Sequence, residues 1–211
     1  PQTRNRLVRR YPWLQRKRPE RRTPLPSASP VAPVPAPGWT TPAAQFDLVM
    51  LPLMEWQERP QRMQYLARQF AANGHRVFYV NPVAMLSSAA GACALDALAP
   101  NLWSVRLPAP RRPLFYREAL DSATVGAMAE ALDQLRREHG IASAVCLVGF
   151  PAWAPLALEL RRRFGWRIVY DCIDDWRSVE GVYAAAVAPE EALVRTCDGL
   201  VLSTQRALDR W

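Results

Sequence analysis

Beyond Phe46 the chain alternates between short apolar runs and longer stretches whose apolar positions recur at helical spacing. The runs predict strands over 46–51, 76–81, 102–107, 144–149, 167–172 and 199–203. The periodic stretches predict helices over about 60–73, 115–139, 153–164 and 189–196. Short buried strands separated by helices of about ten residues or more imply a mostly parallel sheet covered on both faces. The expected fold class is therefore α/β, a Rossmann-like doubly wound sheet. Segment 83–100 is rich in small residues and has no periodicity that places it. Residues 205–211 read as the opening of a helix.

Composition divides the chain before any chemistry is considered. Residues 1–22 carry nine of the 27 basic residues and one of the 19 acidic ones, so they hold the whole formal excess of +8 and the remainder is balanced. The sequence pI of about 9.9 thus belongs to a short arm and gives no reason to expect a nucleic-acid-binding globule. Residues 1–44 also hold ten of the twenty prolines, and Pro24 to Pro37 forms a tract that cannot build a core. The expected organisation is a basic, then Pro-rich, disordered arm over 1–44 and one Rossmann-like domain over 45–211. Leu7, Val8, Tyr11, Trp13 and Leu14 lie among the arm's cations. The arm is read as a solvated tail, as a peripheral membrane contact through residues 4–22, or as the ragged end of a preceding domain.

The four cysteines, Cys93, Cys146, Cys172 and Cys197, form no CxxC pair, and the two histidines do not cluster with them. That spacing gives no zinc signature and suggests a reducing compartment. The amino-terminal segment lacks the apolar region of a signal peptide. No apolar run approaches the ~18 residues that span a bilayer. Cytoplasmic localisation is expected, peripheral at the inner face of the plasma membrane if the arm binds lipid.

In an open parallel sheet, ligands bind beyond the carboxyl ends of the strands, so the loops after the strands carry the candidate chemistry. The first, Leu51 to Gln61, is long and polar, with Pro60 at a helix start. Trp56 there offers a flat face for a sugar or serves as a lid on the core, and Arg59 is either a ligand contact or solvated. No GxGxxG follows this strand, which disfavours a dinucleotide site. After the fourth strand, Gly149 permits close approach, and Phe150 and Trp153 either stack on a ligand or fill a tight turn. After the fifth, Asp171, Asp174 and Asp175 need compensation. Acceptor hydroxyls, loop backbone, helix capping or a divalent metal could supply it, though Asp-x-x-Asp-Asp lacks the usual metal-site spacing. His75 and His139 stand at no strand carboxyl end, so no general-base histidine is visible.

Arg59-Pro-Gln61 with Leu66-Ala and Gly74 to Val80, then Tyr170 to Asp175, then Glu191-x6-Asp198-Gly-Leu-Val-Leu-Ser203 together resemble bacterial GT-B glycosyltransferases. The likeness is to the family 1/family 4 type, and within it to teichuronic-acid and other surface-polysaccharide enzymes. It covers about Phe46 to Trp211 and implies the amino-terminal, acceptor-binding half of a GT-B fold. A second Rossmann-like domain, missing from this chain, would bind a nucleotide sugar without an obligatory metal. The expected partners are a nucleotide sugar and a glycan or lipid-linked acceptor, with no nucleic acid. No cofactor is implied, because the nucleotide sugar is a substrate. The expected substrate-binding residues are Trp56, Arg59, Gln61, Gly149, Phe150, Asp171, Asp174 and Asp175, with no catalytic residue assigned and no metal. On this reading the fragment alone is inactive. The alternatives are a non-catalytic Rossmann-like binding or interaction domain and a metal-dependent enzyme using the aspartates.

Overall fold

In the computed structural model, residues 46–86 and 92–211 are described; the expectations for 1–44, and for 87–91 within the unplaced segment, lie outside them. The strands are β1 (Asp47–Leu51), β2 (Arg76–Val80), β3 (Met85–Leu86), β4 (Ala94–Ala99), β5 (Leu102–Arg106), β6 (Pro108–Ala109), β7 (Ala144–Val148), β8 (Arg167–Cys172) and β9 (Gly199–Leu202). The helices are α1 (Arg62–Ala72), α2 (Ser122–Glu138), α3 (Ala154–Phe164), α4 (Ala184–Val187), α5 (Glu190–Thr196) and α6 (Gln205–Arg210). Seven strands form one sheet in the order β4-β5-β2-β1-β7-β8-β9, parallel except for the β4–β5 pair. The fold class is thus α/β, Rossmann-like and mostly parallel, as the apolar runs predict.

The two directions of winding place the helices on opposite faces. From β1 the chain moves through α1 to β2 on one side, then returns across the sheet and builds β7, β8 and β9 on the other. With right-handed crossovers, that reversal puts α1 on one face and α2, α3 and α5 on the other. The core divides accordingly: Met63 and Ala67 of α1 pack with Leu48, Met50 and Tyr79. Leu132 and Leu135 of α2, with Leu156 and Leu160 of α3, pack with Val49, Cys146 and Ile168. The chain order therefore switches sides between β1 and β7, and the carboxyl ends of these two strands flank a crevice of the kind where open α/β sheets bind ligands.

Several element boundaries differ from expectation. α2 starts at Ser122 rather than near 115, because the Asp121 carboxylate accepts from the Thr124 backbone N–H at 2.7 Å and caps the helix there. The preceding residues turn instead and drive Phe115 into the core against Trp153, ring centroids 4.3 Å apart. Within the unplaced segment lie β3 and the antiparallel edge strand β4. The β4–β5 connection is Pro100-Asn101, where Asn101 takes φ 60° and its carbonyl accepts from the Val77 N–H at 2.8 Å. A β-branched residue is disfavoured in that left-handed conformation. Asn101→Val should cost about 1–2 kcal/mol of stability while Asn101→Gly leaves it nearly unchanged, as read by urea denaturation.

Candidate functional site

The loop after β1, residues 52–61, is held by side chains that are themselves buried. Trp153, at the turn into α3, donates its indole N–H to the Pro52 carbonyl at 2.7 Å. The Tyr79 hydroxyl on β2 donates to the Met54 carbonyl at 2.8 Å. Gln64 on α1, 1% exposed, donates to the Glu55 carbonyl at 3.3 Å and accepts from the Gln61 N–H at 2.9 Å. Buried polar groups are costly unless bonded, and here their bonds fix three carbonyls of one loop, those of Pro52, Met54 and Glu55. Burial also pushes the Tyr79 hydroxyl above the usual tyrosine range, so it remains a donor. The result is a preformed loop at the sheet's carboxyl edge.

α1 carries this loop across the end of β7. A Cβ placed on Gly149 would lie 3.1 Å from Met63 Cε, so the helix rests on the glycine at the end of β7, and Gly149 donates its N–H to the Leu51 carbonyl at 3.0 Å. Arg62, the first residue of α1, reaches β8, and its Nε donates to Asp171 Oδ2 at 2.7 Å. The Asp171 side chain is 1% exposed against 46% for that of Arg62. Asp171 Oδ1 is buried with no hydrogen-bond partner among the described residues. A buried carboxylate of this kind depends on its arginine. The cation in turn has its guanidinium oriented at the crevice edge, which is what a positioning group for a hydroxyl or an oxyanion requires.

The expected site residues do not form one cluster. Gln61, Gly149 and Asp171 stand with Arg62 along the ends of β1, β7 and β8, and Arg59 is exposed in the same loop. Trp56 is half-buried toward β2, edge-on to Tyr79 with centroids 5.1 Å apart. The Arg68 guanidinium lies 5.1 Å from its ring centroid, so Trp56 is engaged as a brace of the loop. Phe150 is fully buried, edge-on to Trp176 at 4.8 Å and tilted against Tyr116. Its ring and that of Trp153 fill the turn into α3, because the loop after β6 folds over them, and neither can stack on a ligand in this structure.

The three aspartates are compensated separately. Asp171 faces α1, whereas Asp175 receives Arg210 Nη1 at 3.2 Å and lies 3.4 Å from Arg206 Nε; Asp174 is exposed. Asp175 precedes the 3-10 turn Trp176–Ser178 without capping it through its side chain. Among the described residues no group of three or more His, Cys, Asp or Glu stands together as a metal site.

Sequence reasoning missed two residues. Arg62 has one signal: a cation in the first turn of a helix opposes the helix dipole and so calls for a carboxylate elsewhere. Glu190 reads from sequence as a dipole-favouring first-turn acid, yet it is 1% exposed. It accepts from the Tyr170 hydroxyl at 2.8 Å, and its Oε2 lies 3.5 Å from Arg210 Nη2. Burial raises its carboxyl above the ordinary 4.5, against opposing contributions from Tyr170, Arg210 and Arg177. The folded chain therefore binds a proton that the unfolded chain releases near the ordinary value. This contribution to stability is fully present below the unfolded pKa and is lost as pH rises through the folded one. Glu190→Gln should remove that downward slope, which urea melts across the acid-to-neutral range would show.

Arg76, which bridges β2 to Asp47 of β1 through paired bonds of 2.6 Å, and His75, which accepts from the Phe46 N–H at 3.2 Å, lie at the opposite edge of the sheet and serve the fold. Among the described residues no helix is long and apolar enough to cross a membrane.

A mostly parallel sheet whose winding reverses between β1 and β7, beside a braced loop, is a Rossmann-like α/β domain, and the structural comparisons agree in fold. No family model and no curated protein matches the sequence. Sucrose-phosphate synthase from Thermosynechococcus elongatus superposes with a TM-score of 0.55 at 16% identity, over 79% of this chain and 45% of that one. A second, shorter chain of the same synthase gives a TM-score of 0.50 at 17% identity, over 79% of this chain and 82% of that one. At such identities the likeness establishes a glycosyltransferase-like Rossmann fold. The chain spans less than half the length of the longer synthase chain.

Proposed function

We propose that the chain is the acceptor-binding half of a GT-B glycosyltransferase. The reaction would move a sugar from a nucleotide-sugar donor to a glycan or lipid-linked acceptor in bacterial surface-polysaccharide synthesis, at the cytoplasmic face of the membrane. The observation that carries this reading is the braced loop 52–61 at the β1–β7 switch point, with Arg62 anchored on buried Asp171 beside it. Holding an acceptor hydroxyl in one orientation converts an encounter between two substrates into a positioned displacement. A rigid loop and a guanidinium already fixed by its carboxylate supply that positioning with little ordering on binding. The developing charge on the leaving nucleoside diphosphate would be stabilised by the donor-binding half. Gln61 and Arg59, with the Gly149 backbone, would complete the acceptor contacts, with no cofactor beyond the donor itself.

The test is nucleoside diphosphate release by the polypeptide that the complete gene encodes, on a panel of nucleotide sugars with cell-envelope extract as acceptor source, with and without EDTA. Release that survives EDTA and is lost in the chain of residues 1–211 supports the reading. Release abolished by EDTA points to metal-dependent chemistry, and no release with any donor points to a binding domain.

A further inference from the structure

Helix α6 follows β9 at the carboxyl edge of the sheet with little apolar support. Of its six residues only Ala207 is buried, and Leu208 is 58% exposed. A helix of a globular domain is ordinarily held by an apolar stripe, whereas α6 is held by charge. Arg206 and Arg210, one turn apart, both face Asp175, at 3.4 Å and 3.2 Å. Arg210 also reaches the buried Glu190, its Nη2 3.5 Å from Oε2.

A second cation stands at the same oxygen. Arg177, in the 3-10 turn after β8, has its Nε 3.9 Å from Glu190 Oε2. Its side chain is 51% exposed, and no other ion pair involves it among the described residues. Glu190 Oε1 takes the Tyr170 hydroxyl and lies 4.0 Å from Cys172 Sγ. Oε2 is buried and accepts no hydrogen bond among the described residues. Two guanidinium groups from two elements thus approach one buried carboxylate oxygen, and neither has closed on it. Removing the sole partner of a buried charge is strongly unfavourable. Withdrawing Arg210 does not leave Glu190 alone, because Arg177 needs to move only about 1 Å to reach hydrogen-bonding distance.

We propose that α6 is a strap that lifts from the sheet edge, with Arg177 taking over Glu190 Oε2 from Arg210. The exchange keeps the buried carboxylate paired in both states. Opening gives up the burial of Ala207 and the Asp175 contacts of Arg206 and Arg210, charges that water can solvate again. Ser203, two residues before α6, donates its hydroxyl to the Ile173 carbonyl at 2.9 Å, so a lifted strap also loosens the loop after β8, just beyond Asp171. On the acceptor-binding reading the strap would set the freedom of the β8 side of the crevice, but the proposal does not rest on that reading.

A helix this short does not hold itself in water, so a lifted α6 exchanges its amide protons. The Leu208 and Trp211 amides, bonded to the Thr204 and Ala207 carbonyls, therefore read the open fraction in the isotopically labelled chain of residues 1–211. Arg210→Met, which unpins α6, should speed their exchange on the order of tenfold. Arg177→Met, which leaves Glu190 unpaired whenever α6 lifts, should slow it on the order of tenfold. Combined with Glu190→Gln, Arg177→Met should no longer slow exchange, because a neutral amide leaves no charge to pair. Protection within β1 and β7 should stay unchanged in the two arginine variants, which shows an intact fold and a local opening. If the arginines merely held the fold, both variants would loosen α6. Unchanged or faster exchange in Arg177→Met therefore overturns the proposal, as does exchange indifferent to Arg210→Met, or lost protection that spreads to β1 and β7. No nucleotide sugar enters this measurement, so its failure and that of the glycosyltransferase reading are separate.

Discussion

Trp153→Ala is expected to lower the free energy of unfolding by about 4 kcal/mol and to loosen the loop after β1. Trp153 is fully buried and packs on Phe115, so truncation leaves a cavity that the surrounding sheet and helices can only partly fill. Its indole N–H also holds the Pro52 carbonyl, one hundred and one positions away in sequence. That bond joins the end of β7 to the end of β1, across the crevice. The two contributions can be separated, because Trp153→Phe keeps most of the apolar volume while removing the donor, and should cost about 1–3 kcal/mol from the carbonyl left unpaired. Urea denaturation measures both losses. Amide hydrogen exchange should show the difference in kind: the phenylalanine variant should exchange faster within residues 52–61 and little elsewhere, whereas the alanine variant should lose protection throughout β1 and β7.

The second large effect is an asymmetry at the crevice. Arg62→Met removes the one side chain that, among the described residues, hydrogen-bonds the Asp171 carboxylate and leaves a charge buried at 1% exposure, at an expected cost of about 3 kcal/mol. Asp171→Asn should cost less, because Arg62 is 46% exposed and water can take over its solvation. Adding Asp171→Asn to Arg62→Met should then recover about 1–2 kcal/mol of the loss, a coupling that a double-mutant cycle measures directly. Equal costs for the two single variants, with simple additivity in the double, would mean that Asp171 is solvated and does not anchor the guanidinium.

The central strands were legible because they are buried on both faces. Apolar runs such as Ile168 to Tyr170 admit few other readings, and β8 falls at Arg167–Cys172, the run that the sequence marks. β4 was not legible. Ala-Leu-Asp-Ala-Leu-Ala is mostly helix-favouring alanine and leucine, and its pairing with β5 at the sheet edge holds it extended. The start of α2 was misplaced because apolar positions continue upstream of Asp121. Phe115 and Leu120 are buried by the loop folding over α3's first turn, not by a helical face.

At the candidate site, the sequence singles out residues at the strand ends but does not show which of their side chains face the crevice and which are buried. Gly149 and Asp171 lie where strand ends predict. Phe150 does not face the crevice, because residues at a strand-to-helix turn alternate between core and surface according to what covers them, here Tyr116 and Trp176. The Arg62–Asp171 pair spans 109 positions and depends on where α1 is set down across β7, which no local pattern encodes.

The most direct test of the account is the amide spectrum of isotopically labelled residues 1–211, titrated separately with a panel of methyl glycosides and with the matching nucleotide sugars. If the carboxyl edge at the β1–β7 switch point holds the acceptor, at least one glycoside will shift Gln61, Arg62, Gly149 and Asp171 together, and Arg62→Met will abolish those shifts while Arg76 at the opposite edge stays unmoved. Shifts confined to other parts of the sheet, or none at these four residues with any glycoside, would contradict the assignment of this crevice to the acceptor.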